Sequence, residues 1–125
     1  MFPNCYSDPP RILIAEDMII EALVVEEAVR EIGAAPVGPV TRADQVVEVT
    51  RRERVDAAVL DVNLGGDLVF GAADELVRRG VPVLFVTGYD RSRFPDRFRQ
   101  APWLSKPYVP ERLEAMLLAL LAAGR

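Results

Sequence analysis

Short apolar bursts that do not alternate with polar residues recur along this chain, and they constrain its fold more than any other feature. They are Ile12-Leu13-Ile14-Ala15, Ala57-Ala58-Val59-Leu60, Val83-Leu84-Phe85-Val86 and the shorter Trp103-Leu104. A weaker stretch from Ala34 to Val40 is interrupted by Pro36 and Gly38-Pro39. A strand with one wet face alternates apolar and polar side chains. A strand covered on both faces does not, and such strands belong to parallel sheets.

Helical patterns fill the intervals. Asp17 is placed to cap a helix whose Ile20, Val24, Ala28 and Ile32 fall on one i, i+4 stripe, with Gly33 where a left-handed C-cap is favoured. Thr41 and Asp44 open a second helix that runs to about Glu53, and Asp67 opens a third toward Arg79, stopped by Gly80 and Pro82. Between Arg91 and Ala101 the only apolar anchors are Phe94 and Phe98, and Pro95 sits in the middle, so a fourth helix there is short. Pro110 starts the last helix, which carries Leu113, Met116, Leu117, Leu120 and Leu121 at core-facing spacing. Five strands alternating with about five helices predict a single α/β domain: a flavodoxin-like, doubly wound, five-stranded parallel sheet with right-handed crossovers. The domain is expected from residue 11 to residue 125, preceded by a flexible N-terminal segment over residues 1–10.

Composition narrows the chemistry. With 125 residues, 50% of them hydrophobic and 27% charged, the chain matches one packed globular domain. It has no histidine, which excludes a Ser-His-Asp triad, an imidazole general base, a His-rich zinc site and a phosphohistidine donor role. The single cysteine, Cys5, has no internal disulfide partner, and residues 1–10 have neither a basic leader nor an apolar signal core. A cytoplasmic setting is the expectation. The apolar stretch from Leu113 to Ala123 contains Glu114 and falls short of the roughly 20 residues that span a bilayer, so no membrane segment is expected. A net charge of −4, with a pI near 4.9, opposes nucleic-acid binding.

In doubly wound sheets the site lies beyond the carboxyl ends of the strands. At those ends stand Glu16 and Asp17 after the first strong burst, Asp61 after the next, then Thr87 and finally Lys106. Taken singly, each is more often a cap, a turn residue or a solvated side chain. Parallel strands aim all of them at one rim. Three carboxylates on one rim repel one another unless a cation relieves them, and a hard divalent ion such as Mg²⁺ suits their oxygens. Glu16 and Asp17 are then the metal's acid pair, and the main-chain carbonyl of Asn63, on the turn past the same rim, is a further candidate ligand. Asp61, at the end of a buried strand, is the candidate nucleophile toward phosphorus, giving an aspartyl phosphate. Lys106 supplies a cation, and the Thr87 hydroxyl a donor, for the phosphoryl oxygens. Pro107 after Lys106 fits a fixed X-Pro bond, cis or trans.

These residues resemble the receiver domain of two-component response regulators. Leu13-Ile14-Ala15-Glu16-Asp17, Asp56 through Leu64, Val86-Thr87-Gly88 and Ser105-Lys106-Pro107 agree with that family in order, spacing and type, from about Arg11 to the end of the chain. The resemblance implies that Asp61 takes a phosphoryl group from the phosphohistidine of a sensor histidine kinase or histidine phosphotransferase. Glu16 and Asp17 would then hold Mg²⁺ and Thr87 and Lys106 contact the phosphoryl group. It implies a signalling domain acting through protein contacts, at most catalysing its own phosphorylation and dephosphorylation. The run from Pro82 to Tyr89, with Lys106-Pro107-Tyr108, resembles the subgroup called FAT GUY, with Val86 in place of the usual Ala. Such receivers often stand alone, and the chain is expected to do so. Most receivers carry a Tyr or Phe three residues before the Lys as a reporter of phosphorylation; here the position is Trp103, and Tyr108 is the other aromatic candidate. Arg91 and Arg93, with Phe94 and Phe98, are expected to add a docking surface for a downstream protein, a second copy of the chain being a further candidate partner.

Two other readings compete. A phosphohydrolase of the haloacid dehalogenase type also uses Asp, Thr, Lys and metal-binding acids, but it places the nucleophile in the first motif with a second Asp two residues on. Here the acid pair comes first, and position 63 is Asn. A degenerate receiver that only binds proteins would not need all five rim residues.

Overall fold

The computed structural model describes residues 8–124, in the order β1 (Arg11–Ala15), α1 (Ile19–Glu31), β2 (Ala35–Val40), α2 (Ala43–Arg52) and β3 (Ala57–Leu60). A short hairpin of β4 (Asn63–Leu64) and β5 (Asp67–Leu68) follows, then α3 (Phe70–Arg78), β6 (Val83–Thr87), two 3₁₀ turns, β7 (Trp103–Ser105) and α4 (Pro110–Ala123). The sheet runs β2-β1-β3-β6-β7 with every neighbouring pair parallel, the expected flavodoxin-like winding. Of the expected N-terminal segment, residues 1–7 lie outside the described residues, while the Pro10 carbonyl accepts from the Ala35 N–H at 2.8 Å.

The sheet is covered on both sides, which is why its central strands read as unbroken apolar runs. On one face Ile12, Ile14, Val59, Leu84 and Val86 meet Val25 and Val29 of α1 and Leu113 and Leu117 of α4. On the other, Leu13, Leu60 and Phe85 meet Val46 of α2 and Leu76 of α3. Edge strand β2 tolerates Pro36 and Pro39, because an edge strand leaves some N–H groups unpaired. Its register slips between Leu13 and Ala15, where Gly38 has φ of 97°. A Cβ there would stand 2.8 Å from the Val40 nitrogen and 2.9 Å from the Ile14 oxygen, so the slip requires glycine.

Four expectations are corrected. There are four α-helices among the described residues, not about five: the segment after β6 forms only the 3₁₀ turns Arg91–Arg93 and Asp96–Phe98. Phe94 and Pro95 between them are extended, as expected for Pro95, which lacks an N–H, and the residue preceding it. Asp67 does not open α3 but lies in β5, because Gly65-Gly66 forms a hairpin turn with φ of 58° and 94° and delays the helix to Phe70. Asp17 does not cap α1; Met18 is the N-cap residue, without a side-chain cap. The α1 stripe is also rotated: Ala22, Val25, Ala28, Val29 and Ile32 are buried, while Ile20 and Val24 face outward. Residues Met18 to Val25 are apolar almost all round the helix, so periodicity alone had no polar side to exclude.

Phe94 and Phe98 do not form a docking surface. Both are buried, and with Phe70 and Phe85 they make a ring cluster with centroids 5.2 to 5.7 Å apart. A segment lacking an α-helix is fastened to the sheet by these two rings. Replacement of Phe94 by Ala is expected to lower the unfolding free energy by about 3 kcal/mol or more, whereas Arg93→Ala, at an exposed position, should cost less than about 0.5 kcal/mol. Urea denaturation of the two variants checks this, and equal midpoints would contradict it.

Candidate active site

The rim beyond the strand ends is assembled from backbone upward. At the end of β1 the Glu16 N–H donates to the Val40 carbonyl at 3.0 Å, a bond the slip at Gly38 makes available. The Asp61 N–H donates to the Ala15 carbonyl at 3.0 Å, which carries the end of β3 beside the end of β1. The Lys106 N–H donates to the Thr87 carbonyl at 2.9 Å and sets Lys106 just past β7. The Lys106-Pro107 peptide is cis.

The side chains converge. Lys106 Nζ donates to Glu16 Oε1 at 2.8 Å and to Asp61 Oδ2 at 2.9 Å, and is ion-paired with Glu21 of α1. Glu16 Oε2 accepts from the Met18 N–H at 3.1 Å, and Asp17 Oδ2 from the Gly65 N–H at 2.8 Å, so the hairpin turn braces the acid pair. Carboxylate oxygens of Glu16, Asp17 and Asp61 lie within 4.8 Å of one another. Three hard oxygen donors so close suit a divalent cation with oxygen preference, and Asp17, the exposed member, leaves an open side for water or a phosphoryl oxygen.

One ammonium is paired with three carboxylates, Glu16, Glu21 and Asp61, and the electrostatics record it. Burial pushes the Glu16 carboxyl above its ordinary value and the neighbouring Asp61 charge adds to this, against the lowering effect of Lys106 and the Met18 N–H. Burial alone would lower Lys106, but its bonds to Glu16, Glu21 and Asp61 outweigh it and hold the ammonium charged well above the usual lysine range. Tyr108 is raised by burial.

Of the residues singled out in the sequence, Glu16, Asp17, Asp61 and Lys106 meet. Thr87 reaches the same rim, fully buried at the end of β6, with its hydroxyl accepting from the Tyr89 N–H at 3.1 Å. The Asn63 N–H points at Asp61 Oδ1 at 3.4 Å, and its side-chain oxygen accepts from Gly66 at 3.0 Å. Trp103, Tyr108 and Arg91 line a groove of about 590 Å³ together with Pro107, Val109 and Arg112, and Tyr108 is close enough to Lys106, Glu16 and Glu21 to feel their charges. Arg91 lies over the Trp103 ring at 5.0 Å, and its Nε and the Trp103 Nε1 are buried without a partner among the described residues. Arg93 lies 5.0 Å over the Tyr89 ring.

Two features escaped the sequence reading. Glu21 reaches Lys106 from the first turn of α1, a contact for which a lone Glu in a helical pattern gives no signal. Met18, Ile19, Ile20 and Leu23 form an exposed apolar patch next to the acid pair, each more than half exposed, which only the true rotation of α1 reveals.

No family model matches the chain. It is 28% identical over 117 residues to the transcriptional regulatory protein PdtaR of Mycobacterium tuberculosis, a match that covers 90% of this chain but only 57% of that protein. Among solved structures, SdrG from Sphingomonas melonis Fr1 is 34% identical with a TM-score of 0.79, over 92% of this chain and 98% of that one. The receiver domain of the sensor histidine kinase PA1611 from Pseudomonas aeruginosa PAO1, solved with a magnesium ion coordinated in its active site cleft, superposes with a TM-score of 0.76 at 24% identity, covering 93% and 99%. The fold is the flavodoxin-like α/β fold of CheY-like receiver domains. The chain belongs to the receiver domains of two-component response regulators.

Replacing Lys106 by Met leaves the carboxylates facing one another without a cation. At pH 7 this is expected to cost about 2 kcal/mol of stability, less than a fully buried pair because Lys106 keeps some exposure. Crowded carboxyls bind protons more readily in the folded chain than in the unfolded one, so the deficit should shrink as pH falls from 7 toward 5. Urea unfolding at both pH values checks the sign; a deficit independent of pH contradicts it.

Proposed function

We propose that this receiver accepts a phosphoryl group on Asp61 from the phosphohistidine of a sensor histidine kinase or histidine phosphotransferase, and passes the signal on by protein contact in the cytoplasm. The observation that carries the reading is the Asp61 carboxylate itself. It lies 2.9 Å from the Lys106 ammonium and within 4.8 Å of two further carboxylates, Glu16 and Asp17. A carboxylate oxygen of Asp61 forms the new O–P bond as the donor's P–N bond breaks, with the electron pair departing on the imidazole nitrogen. Lys106 offsets charge on the phosphoryl oxygens, and Thr87, once its hydroxyl turns from the Tyr89 N–H, donates to one of them.

Glu16, Asp17 and Asp61, with the Asn63 carbonyl, are the residues that would hold Mg²⁺, as supported by their spacing and by the magnesium in the cleft of the PA1611 receiver domain. Bound there, the ion supplies charge neutralisation for the transferred group. A phosphohistidine donor would lie outside these 125 residues, none of which is histidine. The exposed apolar patch of Met18, Ile19, Ile20 and Leu23 beside the acceptor rim is suited to seat its phosphohistidine-bearing helix, because contiguous exposed apolar surface of this kind marks contact sites. Among the described residues no helix is long and apolar enough to cross a membrane.

The downstream contact is assigned to the groove of Trp103, Tyr108 and Arg91, with exposed Arg93 beside it. Trp103 or Tyr108 reports the phosphoryl state there. A phosphomonoester hydrolase is the weaker reading, because position 63 offers an amide where such an enzyme needs its general acid.

Incubation with acetyl phosphate and Mg²⁺ is expected to add one phosphoryl group by intact-mass analysis. Asp61→Asn, or chelation of the metal, should abolish the adduct. An adduct that persists in Asp61→Asn overturns the assignment.

A further inference from the structure

We propose that Glu21 is a positioning residue that holds the Lys106 ammonium back from the phosphoryl group entering at Asp61, and so slows phosphorylation. The inference rests on the reading of Asp61 as the acceptor. Lys106 Nζ donates to Glu16 Oε1 and Asp61 Oδ2 and is ion-paired with a carboxylate oxygen of Glu21. A phosphoryl oxygen entering at Asp61 has to share this one ammonium with the carboxylates already on it, Glu21 among them.

The three partners are not equivalent. Glu16 and Asp61 belong to the acid cluster whose oxygens lie within 4.8 Å of one another, and a cation bound there draws their charge away from Lys106. Glu21 lies outside that cluster, on α1, and keeps its full claim. It is also the most exposed of the three, at 39% against 4% for Glu16 and 13% for Asp61, so its pairing with the ammonium is the one most open to screening by salt. Glu21 therefore competes with the phosphoryl oxygens for the same cation. Its place in the first turn of α1, among the exposed apolar residues there, also puts it within reach of a docked donor protein.

A plain surface ion pair would give a small stability effect and nothing else. Competition for Lys106 gives a kinetic one. Glu21→Gln keeps the shape and removes the charge, and it is expected to raise the rate of phosphorylation by acetyl phosphate about two- to fivefold, the size of a partly exposed charge interaction. Glu21→Asp, which restores the charge on a shorter side chain, should return part of the way to the original rate. The gain should also shrink at high ionic strength.

The decisive comparison is the same substitution in a Lys106→Met background. An effect transmitted through Lys106 disappears there, whereas general repulsion of the anionic donor persists. Rates are read by intact mass under Mg²⁺. Faster phosphorylation of Glu21→Gln that vanishes without Lys106 supports the proposal. An unchanged or slower rate overturns it, as does a gain that survives in Lys106→Met, while the Asp61 reading stands as long as the unsubstituted protein forms the adduct. If that protein forms no adduct, the acceptor reading fails and this inference fails with it.

Discussion

Among the described residues the ammonium of Lys106 is the only cation bonded to a rim that gathers Glu16, Asp17, Glu21 and Asp61, and the rest of the site depends on that imbalance. Four carboxylates brought together by one small domain repel one another, and a single lysine satisfies only part of the demand. The remaining negative potential suits the rim to a divalent cation. On the function proposed above, the same potential would disfavour a phosphoryl anion until that cation is in place, and the site would become reactive only when metal and donor arrive together.

The fold supplies the imbalance by topology. Parallel strands β1, β3 and β7 end at one edge of the sheet, so residues separated by 45 positions, Asp61 and Lys106, come within 2.9 Å. Apolar strands covered on both faces make these ends rigid, and backbone bonds from Glu16 to Val40, from Asp61 to Ala15 and from Lys106 to Thr87 fix their relative heights. The hairpin at Gly65-Gly66 adds a brace to Asp17 from outside the sheet. On the function proposed above, a change in charge at Asp61 would be felt first by Lys106 and its neighbours on β7, and next by the groove where Arg91 covers Trp103.

Much of this was legible in the residues. Unalternating bursts located the five sheet strands to within about a residue, because burial on both faces leaves no polar positions inside them. Glu16, Asp17, Asp61 and Lys106 were found because each directly follows such a burst or nearly so, and the topology does the rest. What stayed hidden depended on rotation and reach. The outward face of α1 could not be read from a helix start that is apolar almost all round, and the reach of Glu21 to Lys106 spans 85 positions with no local signature. Phe94 and Phe98 looked like surface aromatics among arginines, yet they are the only apolar residues their segment has to bury, and the core takes them. The hairpin was missed because Gly-Gly before an Asp reads equally well as a loop leading into a helix cap.

A crystal structure of the protein with Mg²⁺ and beryllofluoride, a mimic of the bound phosphoryl group, tests the central claim most directly. The account predicts beryllium joined to an Asp61 carboxylate oxygen, the metal held by Glu16, Asp17 and Asp61, and the Lys106 ammonium moved from Glu16 onto a fluoride. Beryllofluoride absent from Asp61, or a metal bound away from the three carboxylates, would contradict it.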